Sequence, residues 1–410
     1  MRRMRIAVLA ITVATVALLT WMLPRFDGAH RSADAPSARF DLAALIGADA
    51  RGPDQAPAAA DYARVLGPRP MRFPQDHGPH SEYRSEWWYF TGNLAAADGR
   101  RFGYQWVLFR LALAPDTADG SIAPGTESSR TSAWRTNQAY MAHFALTDAA
   151  TGRFHAFERF ARGAAGLAGA TIAPLRLWLE DWSLTEDPAS GAWRLRVRAD
   201  EIDLDLELRA LRAPVLQGER GFSRKSAAAG NASYYYSISR LDTRGILRAG
   251  EHSQAVEGLS WLDREWGTSA LAADQQGWDW FALQLDDGTD LMVYRLRRRD
   301  GSIDRFSAGM LVTPNDSRVP LAADDVSLDI LDTWTSPEGV RYPAGWRLRL
   351  PERDLVLDVL PLIADQELDL SVRYWEGAVT VTGRHGGAPV GGRGYVELVG
   401  YAGAEAETPE

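Results

Sequence analysis

From about residue 70 onward the chain runs in short stretches of alternating apolar and polar residues broken by turn signals, and this period of two constrains the fold more than any other feature. In "RRFGYQWVLFRL" Phe102, Tyr104, Trp106 and Leu108 fall on one face of an extended strand, and Asp98-Gly99 ahead of it is a hairpin signal. The pattern returns in "AYMAHFALTDAATGRFHAFERF", "LWLEDWSLTEDPASGAWRLRVRADEIDLDLELRAL", "WDWFALQLDDGTDLMVYRLRRRDGSIDRFSAGMLV" and "GWRLRLPERDLVLDVLP". Strands returning about every 8 to 12 residues, with few convincing helices, specify an all-β protein of sandwiches or barrels.

At 410 residues the chain exceeds what one hydrophobic core usually serves, so two domains are expected. The joint is predicted between "SYYYSISRLDTRGIL" and "VEGLSWLDREWG", giving domains over 70–248 and 249–403 and a short tail over 404–410. With 46% apolar residues and 15 tryptophans, each half can bury a large aromatic core.

The first residues, "MRRMRIAVLAITVATVALLTWMLPRF", set Arg2, Arg3 and Arg5 ahead of an 18-residue apolar run, Ile6 to Leu23. Positive charge before such a run holds that end in the cytoplasm and sends the remainder across the membrane. Residues 1–27 are therefore expected to be a signal peptide or a retained membrane anchor helix, and the body to be exported and periplasmic, either soluble or anchored at its N-terminus. Residues 28–69, rich in Ala, Asp, Pro and Arg, are expected to form a flexible spacer.

The chain has no cysteine, which excludes thiol catalysis, disulfides and cysteine-ligated metal. A net charge of -9 argues against nucleic acid as a partner, because phosphate binding needs a concentrated basic face. Neither a GxSxG elbow nor a GxGxxG loop nor a P-loop is present, so no cofactor is expected.

Candidate chemistry gathers in four places. "DHGPHSEYRSEWWYF" brings Asp76, His77, His80, Glu82 and Glu86 together; His-x-x-His beside carboxylates could ligate a metal, but its prolines and glycine favour a hydrogen-bonded loop, and no metal is expected. In a strand, Glu86 shares a face with Trp88 and Phe90 while Trp87 and Tyr89 point the other way. A carboxyl desolvated by indole rings has a raised pKa and suits a general acid; the alternative is an internal salt bridge to an arginine.

The second place, "PVLQGERGFSRKSAAAGNASYYYSISRL", is a long polar segment that carries Lys225, the only lysine, and ends near Tyr235. The third, "GLSWLDREWG", sets Asp263, Arg264 and Glu265 between Trp261 and Trp266, and the fourth, "GWDWFALQL", adds Trp278 and Trp280. Buried charges of this kind must pair or lose several kcal/mol to desolvation, so they form either an ion-pair cluster or a site.

Taken together, "SEWWYFTGNL", "PVLQGERGFSRK" with "NASYYYS", "WLDREWG", "GWDWFALQLDDG", "RYWEGAVTVTG" and "GYVELVGY" resemble the exported AttH-like proteins, a group related to carotenoid 1,2-hydratase and described as secreted hydrolases. The resemblance implies two lipocalin-like (calycin-type) β-barrel domains packed together, holding an apolar isoprenoid or lipid-like ligand. It further implies protonation of an isolated double bond followed by addition of water. At "WLDREWG" the hydratases read Asp-His-Asn-Trp-Gly; Asp263, Trp266 and Gly267 match, while Arg264 replaces the histidine and Glu265 the asparagine. An arginine does not release a proton near neutral pH.

The candidate acids are therefore Glu86, Asp263 and Glu265, with Trp87, Trp88, Tyr89, Lys225, Tyr235, Arg264, Trp266, Trp278 and Trp280 as candidate ligand contacts. If Arg264 neutralises both neighbouring carboxylates, the site only binds. The resemblance then implies a non-catalytic carrier or accessory protein of an envelope ABC transporter.

Overall fold

A computed structural model describes residues 62–115, 136–268 and 271–402. The expected leader helix, most of the spacer and the tail lie outside them. The described residues are almost wholly β, with three single turns of 3-10 helix.

Thirteen strands make the first sheet: β1 (Ser85–Ala96), β2 (Arg101–Ala112), β3 (Gln138–Asp148), β4 (Arg153–Arg162), β5 (Ala168–Thr171), β6 (Arg176–Leu179), β7 (Trp182–Glu186), β8 (Trp193–Ala199), β9 (Ile202–Ala210), β10 (Val215–Leu216), β11 (Phe222–Arg224), β12 (Ala232–Ala249) and β13 (His252–Gly267). They follow the order β4-β3-β2-β1-β13-β12-β9-β8-β7-β6-β5, with β10 and β11 beside β12. All pairings are antiparallel, and the sheet curls into a nearly closed barrel.

Ten more strands make the second sheet: β14 (Gln275–Leu285), β15 (Asp290–Arg298), β16 (Ala308–Val312), β17 (Arg318–Ala322), β18 (Ser327–Thr335), β19 (Arg341–Leu350), β20 (Leu355–Pro361), β21 (Glu367–Asp369), β22 (Arg373–His385) and β23 (Ala388–Val399). Their order is β17-β16-β15-β14-β23-β22-β20-β19-β18, with β21 beside β22, and the barrel stays half open.

The alternation decides where the cores lie. Trp88, Phe90, Trp106, Trp182 and Trp266 fill the first barrel, and Phe281, Trp346, Leu357 and Trp375 fill the second. Both interiors are packed with side chains, as small barrels are. The opposite faces of β1, β2, β12, β13, β14 and β22 meet in a third apolar layer that includes Tyr89, Val107, Tyr235, Trp280 and Tyr374. The barrels approach closely at Gly103, where a Cβ would lie 2.3 Å from that of Ala378.

The predicted joint near residue 248 is corrected. β12 and β13 form one hairpin, pairing from Ser233 with Gly267 out to Ala249 with His252, and Gly250 turns it with φ of 60°. The chain enters the second sheet between Gly267 and Gln275. The turn end of this hairpin is half exposed, so its polar residues resemble a linker in sequence.

Candidate functional site

The wall made by β1, β13 and β12 has a different set of residues on each side. In register, Trp88 lies beside Arg264 and Tyr236, and Glu86 beside Trp266 and Tyr234; these point into the first barrel. The alternate rows, Trp87 with Glu265 and Tyr235, and Tyr89 with Asp263 and Ser237, point towards the second barrel. The predicted separation of Glu86 and Trp88 from Trp87 and Tyr89 matches this placement.

On the inner side Glu86 has no exposed surface and forms ion pairs with Arg110 and Arg264, while the His80 backbone N–H donates to it at 3.0 Å. Arg264 lies 4.0 Å over the Trp88 ring, and its Nη2 donates to the Gly78 carbonyl at 2.7 Å. The His80 ring stacks on Trp266 at 3.9 Å and bonds Asp76 at 3.0 Å; Asp76 also pairs with Arg69 at 2.6 Å.

Burial would raise the Glu86 carboxyl, but Arg264, Arg110 and His80 outweigh it and hold it well below the ordinary carboxylate range. Glu86 as a general acid is thus corrected: the salt bridge is what forms. Trp88, Arg264 and Trp266 belong to the same cluster and do not line the cavity between the barrels.

That cavity is partly open and holds about 670 Å³ of atom-free space, solvent at its mouth included. Its walls carry Trp87, Tyr89, Lys225, Tyr235, Trp278 and Trp280, with Asp263 and Glu265 among them. Eight of the twelve residues singled out in sequence therefore meet here, contributed by β1, β12, β13, β14 and the segment before β12.

Lys225 Nζ lies 3.0 Å from Glu265 and 4.6 Å from the Tyr294 ring centre, and Ser233 donates to the same Glu265 oxygen. Burial opposes the Lys225 charge, but Glu265 and neighbouring groups raise its pKa, so the ammonium persists. Asp263 accepts from Trp261 Nε1 at 2.7 Å, from Ser237 at 2.5 Å and from the Tyr235 hydroxyl. Burial pushes its carboxyl up to about 7 despite those donors, with the Glu265 charge adding to the rise.

Sequence reasoning missed Phe109, Leu271, Tyr294, Leu296 and Glu397, which complete the lining. Glu397 takes a hydrogen bond from Trp278 Nε1 at 3.0 Å, and burial pushes its carboxyl up to about 7. The signal for it was a carboxylate alternating with Tyr395 and Val399 in "GYVELVGY", an acid on an otherwise apolar and aromatic strand face.

Paired calycin-type barrels with an aromatic, carboxyl-bearing cavity between them define a lipocalin-like β-protein of the two-barrel kind. Within that class the chain belongs to the AttH-like family, which it matches over residues 64–401. It is similar to the crystal structure of a candidate AttH protein from Nitrosomonas europaea, with 34% identity, a TM-score of 0.71, and alignment over 83% of this chain and 99% of that one. Kievitone hydratase from Nectria haematococca shares the fold at 16% identity, with a TM-score of 0.61 over 84% of this chain and 97% of its own. No curated protein sequence matches the chain.

Proposed function

We propose that the protein binds a hydrophobic, isoprenoid or lipid-like small molecule in the cavity between its barrels and acts on it by proton transfer, as a hydratase or hydrolase does. The observation that carries this is Asp263, a carboxyl 4% exposed, ringed by Trp261, Tyr235 and Trp280 and raised to about 7. A buried carboxyl poised near neutrality can take up or give up a proton at working pH, which is what proton-transfer chemistry on a bound ligand requires. Aromatic faces such as Trp87, Tyr235 and Trp280 would stabilise the cation that forms. The hydratase name of the fold relative from Nectria haematococca agrees with the same chemistry.

Glu265 is paired with Lys225 and serves as a positioning group. The export leader and a carrier role beside an envelope transporter remain part of the proposal. Solvent extraction of the purified protein, with mass spectrometry of what co-purifies, identifies the ligand class. Turnover of that ligand lost in Asp263→Asn with affinity retained supports the enzyme; affinity without turnover in the unaltered protein supports the carrier; an empty pocket that takes up no apolar probe overturns both.

A further inference from the structure

Two carboxyls face the cavity from opposite walls, and their hydrogen bonds run in different directions. Around Asp263 every donor points inward. Gln217 Nε2 donates to Ser237 Oγ at 2.9 Å, leaving the Ser237 hydroxyl to donate to Asp263. Trp280 Nε1 donates to the Tyr235 hydroxyl at 3.1 Å, leaving that hydroxyl to donate as well. Trp261 Nε1 can only donate. Among the described residues Asp263 receives three donors, two of them hydroxyls whose protons the N–H groups behind them turn towards it. The network thus favours the carboxylate.

Glu397 is the reverse. It receives one N–H, from Trp278 at Oε2, and its Oε1 has no bond to another described side chain. Its cross-strand neighbour on the same face is another acid, Glu376, fully buried, which accepts the Tyr89 hydroxyl at 2.7 Å and whose second oxygen has no hydrogen-bond partner among the described residues. Burial and the Glu397 charge raise Glu376 well above the ordinary range. The charged groups that meet Glu397 are Asp263, Glu265 and Lys225 across the cavity and Glu376 beside it, with the Tyr89 and Tyr294 hydroxyls nearby. Like charges so placed in a dry layer cannot all ionise.

We propose that Glu397 is the proton donor of the cavity and Asp263 its base, an assignment that rests on the proton-transfer function proposed above. For an apolar ligand with an isolated double bond, the Glu397 O–H breaks as its proton bonds to one alkene carbon and the π pair leaves the other as a tertiary cation. A water molecule bonds to that cation and gives its extra proton to the Asp263 carboxylate. Transfer of this proton back to Glu397 restores the starting state. The acid thus resides on the second barrel and the base on the first, and the ligand lies between them.

The test uses the full chain labelled with 13C at the glutamate and aspartate side-chain carboxyls. The resonance missing in Glu397→Gln is expected to report an acid that keeps its proton to near-neutral pH, while the one missing in Asp263→Asn reports a group that gives up its proton at lower pH than Glu397. Trp278→Phe, which removes the N–H donor to the anion while keeping an aromatic ring in the wall, is expected to move the Glu397 titration upward. Should Asp263 keep its proton to higher pH than Glu397, or should Trp278→Phe leave the Glu397 titration unmoved, the assignment is overturned. Tryptophan quenching by retinol, measured on the unaltered protein, separates the two claims. Failure of retinol to bind overturns the ligand reading, whereas binding with an ionised Glu397 overturns only the donor assignment.

Discussion

Glu86 and Trp87 are neighbours in the chain, and the wall of the first barrel separates them. Glu86 is sealed inside with Arg110 and Arg264, while Trp87 stands opposite Glu265 on the cavity side. One peptide bond thus divides a structural ion cluster from a candidate site, and substitutions on its two sides have separable effects.

Glu86→Gln removes one partner of a buried network and strands two guanidinium groups, so it is expected to cost about 3–5 kcal/mol of stability. Chemical denaturation checks this. Retinol affinity of the folded fraction, read by tryptophan fluorescence, should stay as in the unaltered protein.

Two groups of buried carboxyls act in opposite directions on the pH dependence of stability. Glu86 and Asp76 are held low in the folded state, so their stabilisation is present above the ordinary carboxyl range and is lost as pH falls through it. Asp263 and Glu397 are raised to about 7, so the folded protein retains protons that the unfolded chain releases, and stability falls as pH rises towards that value. Each raised group contributes a slope of at most about 1.4 kcal/mol per pH unit. Buried His77 and His143, held neutral by burial, lose stabilisation as pH falls through the ordinary imidazole range, so the check is comparative: in melting curves Glu397→Gln should lessen the fall in stability as pH rises towards neutrality.

Trp280→Ala removes a ring of the cavity wall together with the N–H that orients Tyr235. A loss of about 10- to 100-fold in affinity for a neutral polyene is expected, on the scale of a truncated aromatic anchor. Trp280→Phe should recover the part due to the ring.

Lys225 and Glu265 compensate one another inside the cavity. Lys225→Met is expected to destabilise the fold by stranding the carboxylate, and adding Glu265→Gln should recover much of the loss. A double-mutant cycle on unfolding free energy should give a coupling on the order of 0.5–3 kcal/mol; additivity would contradict the pairing.

Gly103 sits where the barrels touch, and a side chain there meets Ala378. Gly103→Val should weaken retinol binding by shifting the second barrel, more than it lowers the melting temperature. Gly103→Val with Ala378→Gly tests whether contact at that point is the cause.

The strands were legible because side chains in an extended chain alternate by necessity: Phe102, Tyr104 and Trp106 announce β2, and the opposed faces of Glu86 and Trp87 follow from the same geometry. The fate of Glu86 was less so. Its partners are a strand away at Arg110 and far along the chain at Arg264, and only the register brings them together. Glu397 escaped notice for a related reason. Its row joins Trp280 and Glu376 through pairings of β23 with β14 and β22, and the first barrel must then dock against that row before a cavity exists. The misplaced joint shows the converse limit, since an exposed hairpin tip and a linker share one polar composition.

The cavity walls are the reverse faces of two cores that are each complete without them, tryptophans and all. Mutational drift at Trp87, Tyr294 or Glu397 can therefore retune what is held, and what is done to it, without disturbing how either barrel folds. Such an architecture decouples innovation from foldability, leaving a lineage free to explore new substrates on a scaffold it does not have to reinvent.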